Sequence, residues 1–364
     1  MKNVIAIGVA TVLGCMTGTA LAQVVDEGGP GPEGQQYVVP SQRIESVPVP
    51  SNRPSLNVTT PSGSVAHIFP SVQMRARMRA AGGADPGPLL YHDSGPIMHR
   101  LKIYEIFWSP DTLQTGDSTG FSPNYFEVQT KLGNLYNGHG IRNNNTQYFQ
   151  TINGKTTYVR NEGDLAGVAV DTSPYPVSGC NDAFTPGNCI TDAQIRTEIL
   201  KVIRQEQWKV GLDSIFLLYT SSGEGSCFDQ SGNTCAYSSY CAYHSFISPS
   251  SGKREDTVIY GNEPYGNTAF CQIPGVPSPN NDPDADTAST ATSHEVTEAA
   301  TDPLLDAWFT AQGNEIGDLC AYNYGLNTWE GGLANQQWSG HFFELQTEFN
   351  NHVSACTQIG PNLN

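Results

Sequence analysis

Basic residues are scarce: 18 lysines and arginines stand against 35 aspartates and glutamates in 364 residues, which leaves a net charge of −17. A surface of that sign repels phosphates and argues against nucleic acid and anionic membranes as partners. Long apolar runs are missing as well, and beyond the first 22 residues no stretch approaches the ~20 apolar residues that a membrane span needs. There is no Gly-x-Ser-x-Gly elbow, no Walker loop and no dinucleotide fingerprint, so the chemistries those motifs carry have no anchor here. No Cys-x-x-Cys pair occurs, and the loose cysteine spacings speak against a zinc–thiolate site. No internal repeat is visible.

What is present begins with an export signal. Lys2, an apolar run from Val4 to Leu13 and Ala20-Leu21-Ala22 before Gln23 have the charged, apolar and small-residue order of a signal peptide over 1–22. The expected mature chain starts at Gln23, and losing Lys2 takes its charge from −17 to −18. Cys15 in Val12-Leu13-Gly14-Cys15 offers lipoprotein anchoring as an alternative. Either way the expectation is a secreted, periplasmic or extracellular protein without a transmembrane segment. Of nine cysteines, eight remain beyond Cys15, an even number that suits four disulfides in an oxidising compartment. Eight cysteines allow 105 connectivities; Cys180 with Cys189 and Cys320 with Cys356 are the expected pairs.

Residues 23–85 are rich in Pro, Gly, Ser and Gln, lack helical or strand periodicity, and read as a linker, pro-segment or stalk. Arg75, Arg77 and Arg79 near its end could mark a processing site, or simply a solvated domain edge. Residues 86–360 are long enough for one large domain. Leu101 to Trp108 alternates and hardens into a core strand; Tyr125 to Tyr136 has helical spacing; Asn153-Gly154 and Glu162-Gly163 are turn signals between strands. Thr191 with Gln194 forms a capping box ahead of the stripe Ile195, Ile199, Val202 and Ile203, while Ser214 to Tyr219 and Thr257 to Tyr260 read as short strands. Strands interleaved with helices give a mixed α/β class, a sheet with packed helices.

The chemistry concentrates in Ser293-His294-Glu295-Val296-Thr297-Glu298, on a helix expected to start at Asp286 or Ser289 and to stop at Asp302 before Pro303. His294 and Glu298, four apart, share a helix face, with Glu295 to one side. That is the layout of the H-E-x-x-H metallopeptidase helix with a glutamate as the second ligand. A hydrolytic ion needs about three protein ligands and one open position. Asp302 lies about 12 Å along the axis from His294, too far for the same ion. Asn314-Glu315-Ile316-Gly317-Asp318 resembles the segment of thermolysin-like zincins that supplies the third ligand and a carboxylate behind the first histidine. That resemblance implies a zincin-like active-site helix, with Glu315 as ligand and Asp318 orienting His294, or the reverse. Two carboxylates make the ion a weaker Lewis acid and shift its preference toward harder cations. Zn2+ is expected first, with Mn2+ or Ca2+ as alternatives.

Tyr91-His92-Asp93-Ser94-Gly95-Pro96-Ile97-Met98, the strand Ile103 to Trp108, Tyr240-Cys241-Ala242-Tyr243-His244, the His294 to Pro303 segment with Ala307-Trp308-Phe309, and Glu315 to Cys320 resemble the phosphate-induced protein 1 (EXORDIUM-like) family over about residues 90–357. The resemblance includes the glutamate four places after the histidine. It implies an exported protein linked in plants with cell walls and growth. His244 stands in one of these blocks as a transition-state hydrogen-bond donor or an extra ligand, or as an ordinary loop histidine. His67, His99, His139, His341 and His352 have no motif support, and His92 has little. Asp93-Ser94-Gly95 and Asp171-Thr172-Ser173 resemble the paired loops of aspartic proteases only faintly.

The expectation is therefore a secreted metal-dependent peptidase: His294, Glu298 and Glu315 hold the ion, Glu295 acts as general base on its water, and Asp318 orients His294. A peptide or a wall or matrix component is the expected substrate. The other class is a non-enzymatic wall- or matrix-associated protein with a structural cation.

Overall fold

The computed structural model describes residues 56–60, 63–82, 85–92, 95–266 and 268–363. The signal peptide expected at 1–22, Cys15, residues 23–55 and the Asp93-Ser94 pair lie outside the described residues.

A seven-stranded mixed sheet carries the molecule. Its strands, in chain order, are β1 (Asn57–Thr59), β2 (Val65–Pro70), β3 (Leu101–Trp108), β4 (Gly163–Asp171), β5 (Ser214–Thr220), β6 (Tyr240–Ile247) and β7 (Val258–Glu263). They lie side by side in the order β1-β2-β6-β7-β5-β3-β4. The half from β7 to β4 is parallel, whereas β6, β2 and β1 are added antiparallel. Period-two alternation splits β5 between two cores: Ile215, Leu217 and Tyr219 face one layer of helices, Phe216 and Leu218 the other.

The longer helices are α1 (Val72–Gly82), α2 (Tyr125–Leu135), α3 (Asp192–Glu206) and α4 (Pro283–Thr301). The Thr191–Gln194 capping box is formed as the sequence suggests, and the stripe of α3 packs on the Phe216 face. The opposite face carries α2 and α4. Residues 149–158 form the hairpin turned by Asn153-Gly154, both with positive φ (51° and 75°), as a type I′ turn requires.

Two segments differ from expectation. The last part of the expected linker, from residue 57 on, supplies β1, β2 and α1; β2 pairs with β6, and its core residues Ala66, Ile68 and Phe69 are buried. A six-residue strand is too short for its alternation to stand out among the prolines that precede it. Helix α4 starts at Pro283, earlier than Asp286, because the Asp282 carboxylate caps it by accepting the Ala285 amide N–H, and Pro283 suits the first helical position. The helix carries no apolar stripe because its residues from Ala285 to Thr301 are buried all round. Its hydroxyls and carbonyls meet partners instead: Tyr136 reaches Ser293 and Thr297, and Gln129 donates to Ala285 O at 2.8 Å.

Four disulfides close the structure: Cys180–Cys189, Cys227–Cys235, Cys241–Cys271 and Cys320–Cys356. The first and last are the two pairs expected. Cys320–Cys356 ties the Glu315–Cys320 segment to the C-terminal hairpin of residues 348–357. No helix of the described residues is long and apolar enough to cross a membrane.

Candidate metal centre

Helix α4 runs against the antiparallel half of the sheet, so the inward side chains of β6 and β2 meet its last two turns. His244 on β6 and His67 on β2 are direct cross-strand partners, with ring centroids 5.8 Å apart. From the helix come His294, Glu295 and Glu298, and from the loop beyond it Glu315 and Asp318. All seven side chains are at most 2% exposed. Their acids make no ion pair with Lys or Arg among the described residues; every close cationic partner is an imidazole.

His244 Nδ1 lies 2.9 Å from Glu295 Oε2, and its Nε2 is turned toward Glu315 Oε2, 3.8 Å away. This is the carboxylate–imidazole arrangement that prepares a histidine for a metal. Glu295 Oε1 accepts the Phe69 backbone N–H at 3.1 Å, so both oxygens of the expected general base are engaged. His67 is held in a comparable way: its Nδ1 lies 2.8 Å from Asn57 Oδ1, an acceptor only, and its Nε2 lies 2.7 Å from Asp318 Oδ2. A proton shared between that nitrogen and that carboxylate accounts for the short contact.

His294 has different company. The Gln346 amide nitrogen lies 2.9 Å from its Nδ1 and 3.1 Å from Gly317 O, and the second contact sets the amide's orientation. A neutral His294 then carries its proton on Nε2, which lies 3.0 Å from Glu298 Oε1 and 3.8 Å from Asp318 Oδ1. The carboxylate expected behind its far nitrogen is thus not there, and Asp318 faces His67. Glu298 Oε1 also accepts the Asp318 N–H at 3.1 Å. Asp302 ends the helix and accepts the Asp306 and Ala307 N–H groups, both at 2.7 Å.

Five atoms in this cluster have no hydrogen-bond partner: His244 Nε2, His294 Nε2, Glu298 Oε2, Glu315 Oε2 and Asp318 Oδ1. Orphaned buried polar atoms are costly and rare. Two pairs of them stand at separations that a shared ion explains better than a hydrogen bond: His244 Nε2 to Glu315 Oε2 and His294 Nε2 to Asp318 Oδ1 are each 3.8 Å. Ligand atoms about 2.1 Å from one ion stand roughly 3.4 to 4.2 Å apart. Three sets each bring one ligand atom per residue within 4.8 Å of one another: His244/Glu298/Glu315, His67/Glu298/Asp318 and His294/Glu295/Glu298.

The electrostatics follow from burial. Desolvation, then the neighbouring Asp318 charge, pushes the Glu298 carboxyl well above its ordinary range; burial followed by Glu298 does the same to Glu295, and burial followed by Asp302 to Glu315. Burial depresses His294 to about 4, against the pull of Asp318, and drives His244 well down, with His67 adding to the effect. For His67 burial works downward, but the charge and hydrogen bond of Asp318 outweigh it and the ring is raised.

No family model and no solved structure matches the chain. The chain is similar to Protein EXORDIUM-like 3 of Arabidopsis thaliana. The two are 34% identical over 117 residues, which is 27% of this chain and 34% of that protein. The match therefore spans about a third of the EXORDIUM-like 3 chain, and it agrees with the resemblance carried by the sequence blocks above.

The structure brings together all six residues singled out by sequence: His244, His294, Glu295, Glu298, Glu315 and Asp318. Those missed are His67 and Gln346. His67 carries a faint signal, an apolar segment Val65 to Phe69 interrupted by one imidazole. Gln346 lies in a loop segment and carries none.

Proposed function

We propose that the chain is an exported, EXORDIUM-like metal-dependent hydrolase of amide bonds, with its divalent cation, Zn2+ first and Mn2+ or Ca2+ next, held in the cluster around Glu298. The observation that carries the cation is the set of five orphaned buried atoms, four of them paired at ion-sharing distances. His244 Nε2, Glu298 Oε2 and Glu315 Oε2 are the ligands whose geometry needs least change. His294, the first ligand expected from the motif, joins through Nε2 when Gln346 turns its oxygen to the ring. The ion would polarise a carbonyl and acidify bound water. Glu295 positions His244 in this arrangement and becomes a base only on releasing Phe69 N–H or His244. The peptidase reading rests on the i, i+1, i+4 spacing of His294, Glu295 and Glu298.

Complete burial of the seven side chains favours a second reading, in which the cation is structural and the protein is a non-enzymatic component of a wall or matrix. Elemental analysis of the purified protein, with a peptide and glycan substrate screen run with and without chelator, separates the two. Chelator-sensitive hydrolysis that Glu298→Ala abolishes supports the enzyme. Bound metal without hydrolysis establishes the structural role, and no metal under metal-replete conditions sinks both. Glu295→Gln divides the roles of that residue: hydrolysis lost with metal retained marks a base, whereas metal affinity reduced about 10- to 100-fold marks a residue that orients a ligand.

A further inference from the structure

We infer that the cluster is a two-ion centre, with His67 and Asp318 holding a second divalent cation beside the one at His244 and Glu315, and the Glu298 carboxylate bridging them. The inference rests on the cation site proposed above and concerns its nuclearity.

Ligand supply is the first ground. One ion needs about three protein ligands and an open position, but seven potential ligand side chains converge here. Five of them form two sets that share Glu298, His244/Glu298/Glu315 and His67/Glu298/Asp318, and His294 and Glu295 make a third set with the same Glu298. Each of the first two sets has its own histidine, and each of these histidines has its second nitrogen held by oxygen, Glu295 Oε2 at 2.9 Å for His244, and Asn57 Oδ1 at 2.8 Å with Glu315 Oε1 at 3.3 Å for His67. Both rings therefore turn Nε2 into the cluster.

Glu298 is placed to bridge. Its Oε1 lies on the Asp318 side, accepting the Asp318 N–H at 3.1 Å and lying 3.0 Å from His294 Nε2. Its Oε2 has no partner and lies 3.8 Å from His244 Nδ1. A carboxylate using one oxygen per metal holds two ions at the separation of about 3.5 to 4 Å found in paired-metal sites.

Charge is the independent ground. Glu295, Glu298, Glu315 and Asp318 are four buried carboxylates whose ion-pair partners are imidazoles only. Buried charges are paired, coordinate metals or take up a proton. Two divalent ions neutralise four carboxylates with every histidine neutral and free to coordinate.

The test is the cation stoichiometry of the disulfide-bonded full chain, stripped with chelator and titrated with Mn2+ or Zn2+. Two equivalents are expected for the wild type, and one for His67→Ala with the His244 site still filled. Low-temperature electron paramagnetic resonance of the Mn2+-loaded wild type should show a spin-coupled pair, a readout that does not depend on any variant folding. Asp318→Asn, which keeps the shape of the side chain, should also reduce the stoichiometry to one. A single equivalent in the wild type, or two that show no coupling, overturns the two-ion centre and leaves the single-cation reading standing. No bound cation overturns both.

Discussion

Gly317 marks how tightly the centre is built. Its φ of −75° is open to any residue, so the constraint there is space alone. A Cβ at this position would lie 2.7 Å from His294 Nδ1, 2.8 Å from its Cε1 and 3.0 Å from Glu298 Oε1. His294 is packed under Phe69, whose ring centroid is 4.2 Å from its own, and the histidine cannot simply move aside. Gly317→Ala is therefore expected to weaken cation binding at least tenfold, measured by calorimetric titration, while far-UV circular dichroism stays that of the wild type. Unchanged affinity would mean that the His294 and Glu298 positions do not matter to the ion. The same crowding shows why this pair was legible in sequence and its surroundings were not. The four-residue spacing of His294 and Glu298 is a local property of one helix. The contacts of His67 with Asp318, 251 positions apart, and of Gln346 with His294, 52 apart, exist only once the sheet is assembled.

Among the elements, β3 and α2 hold a second buried acid that has no part in the centre. Glu105 is fully buried in β3, and α2 makes room for it at Gly133, where a Cβ would come within 2.4 Å of its Oε1. Burial raises its pKa to about 8 from an ordinary 4.5. The folded state therefore keeps a proton that the unfolded chain releases above about pH 4.5, and stability falls as pH rises from there through about 8. Glu105→Gln, isosteric and uncharged, should flatten that slope by up to about 1.4 kcal/mol per pH unit between pH 5 and 8, read from urea unfolding midpoints. An identical slope in the variant would show that Glu105 is not the titrating group. The elements that sequence alone reveals are those with a local cause: the alternation of β3, the capping box of α3 and the Asn153-Gly154 turn. Where the cause is burial on all sides, as in α4, or pairing with a distant strand, as in β2, no periodicity remains to betray the element, and the start of α4 and the whole of β2 were out of reach.

At the scale of the whole molecule, a cation centre that joins two strands, a helix and a disulfide-tied loop should act as a clasp. Any ion bound to the folded form alone stabilises it by about 2.7 kcal/mol at a hundred times its dissociation constant. Chelator should accordingly lower the thermal midpoint by several degrees, and Mn2+ or Zn2+ should restore it. An unaltered midpoint in both directions would count against a cation in the folded protein.

Strand β2 enters the sheet beside β6, although some 170 residues of chain separate them. During synthesis the segment carrying His67 emerges early and waits unpaired until β6, α4 and the Glu315–Cys320 loop have followed, a long-range closure of the kind that slows folding. The two halves of the centre thus come together only when most of the chain has been made. Any ion held at the proposed centre would then come from the compartment in which folding finishes, and its identity would record where the protein matured.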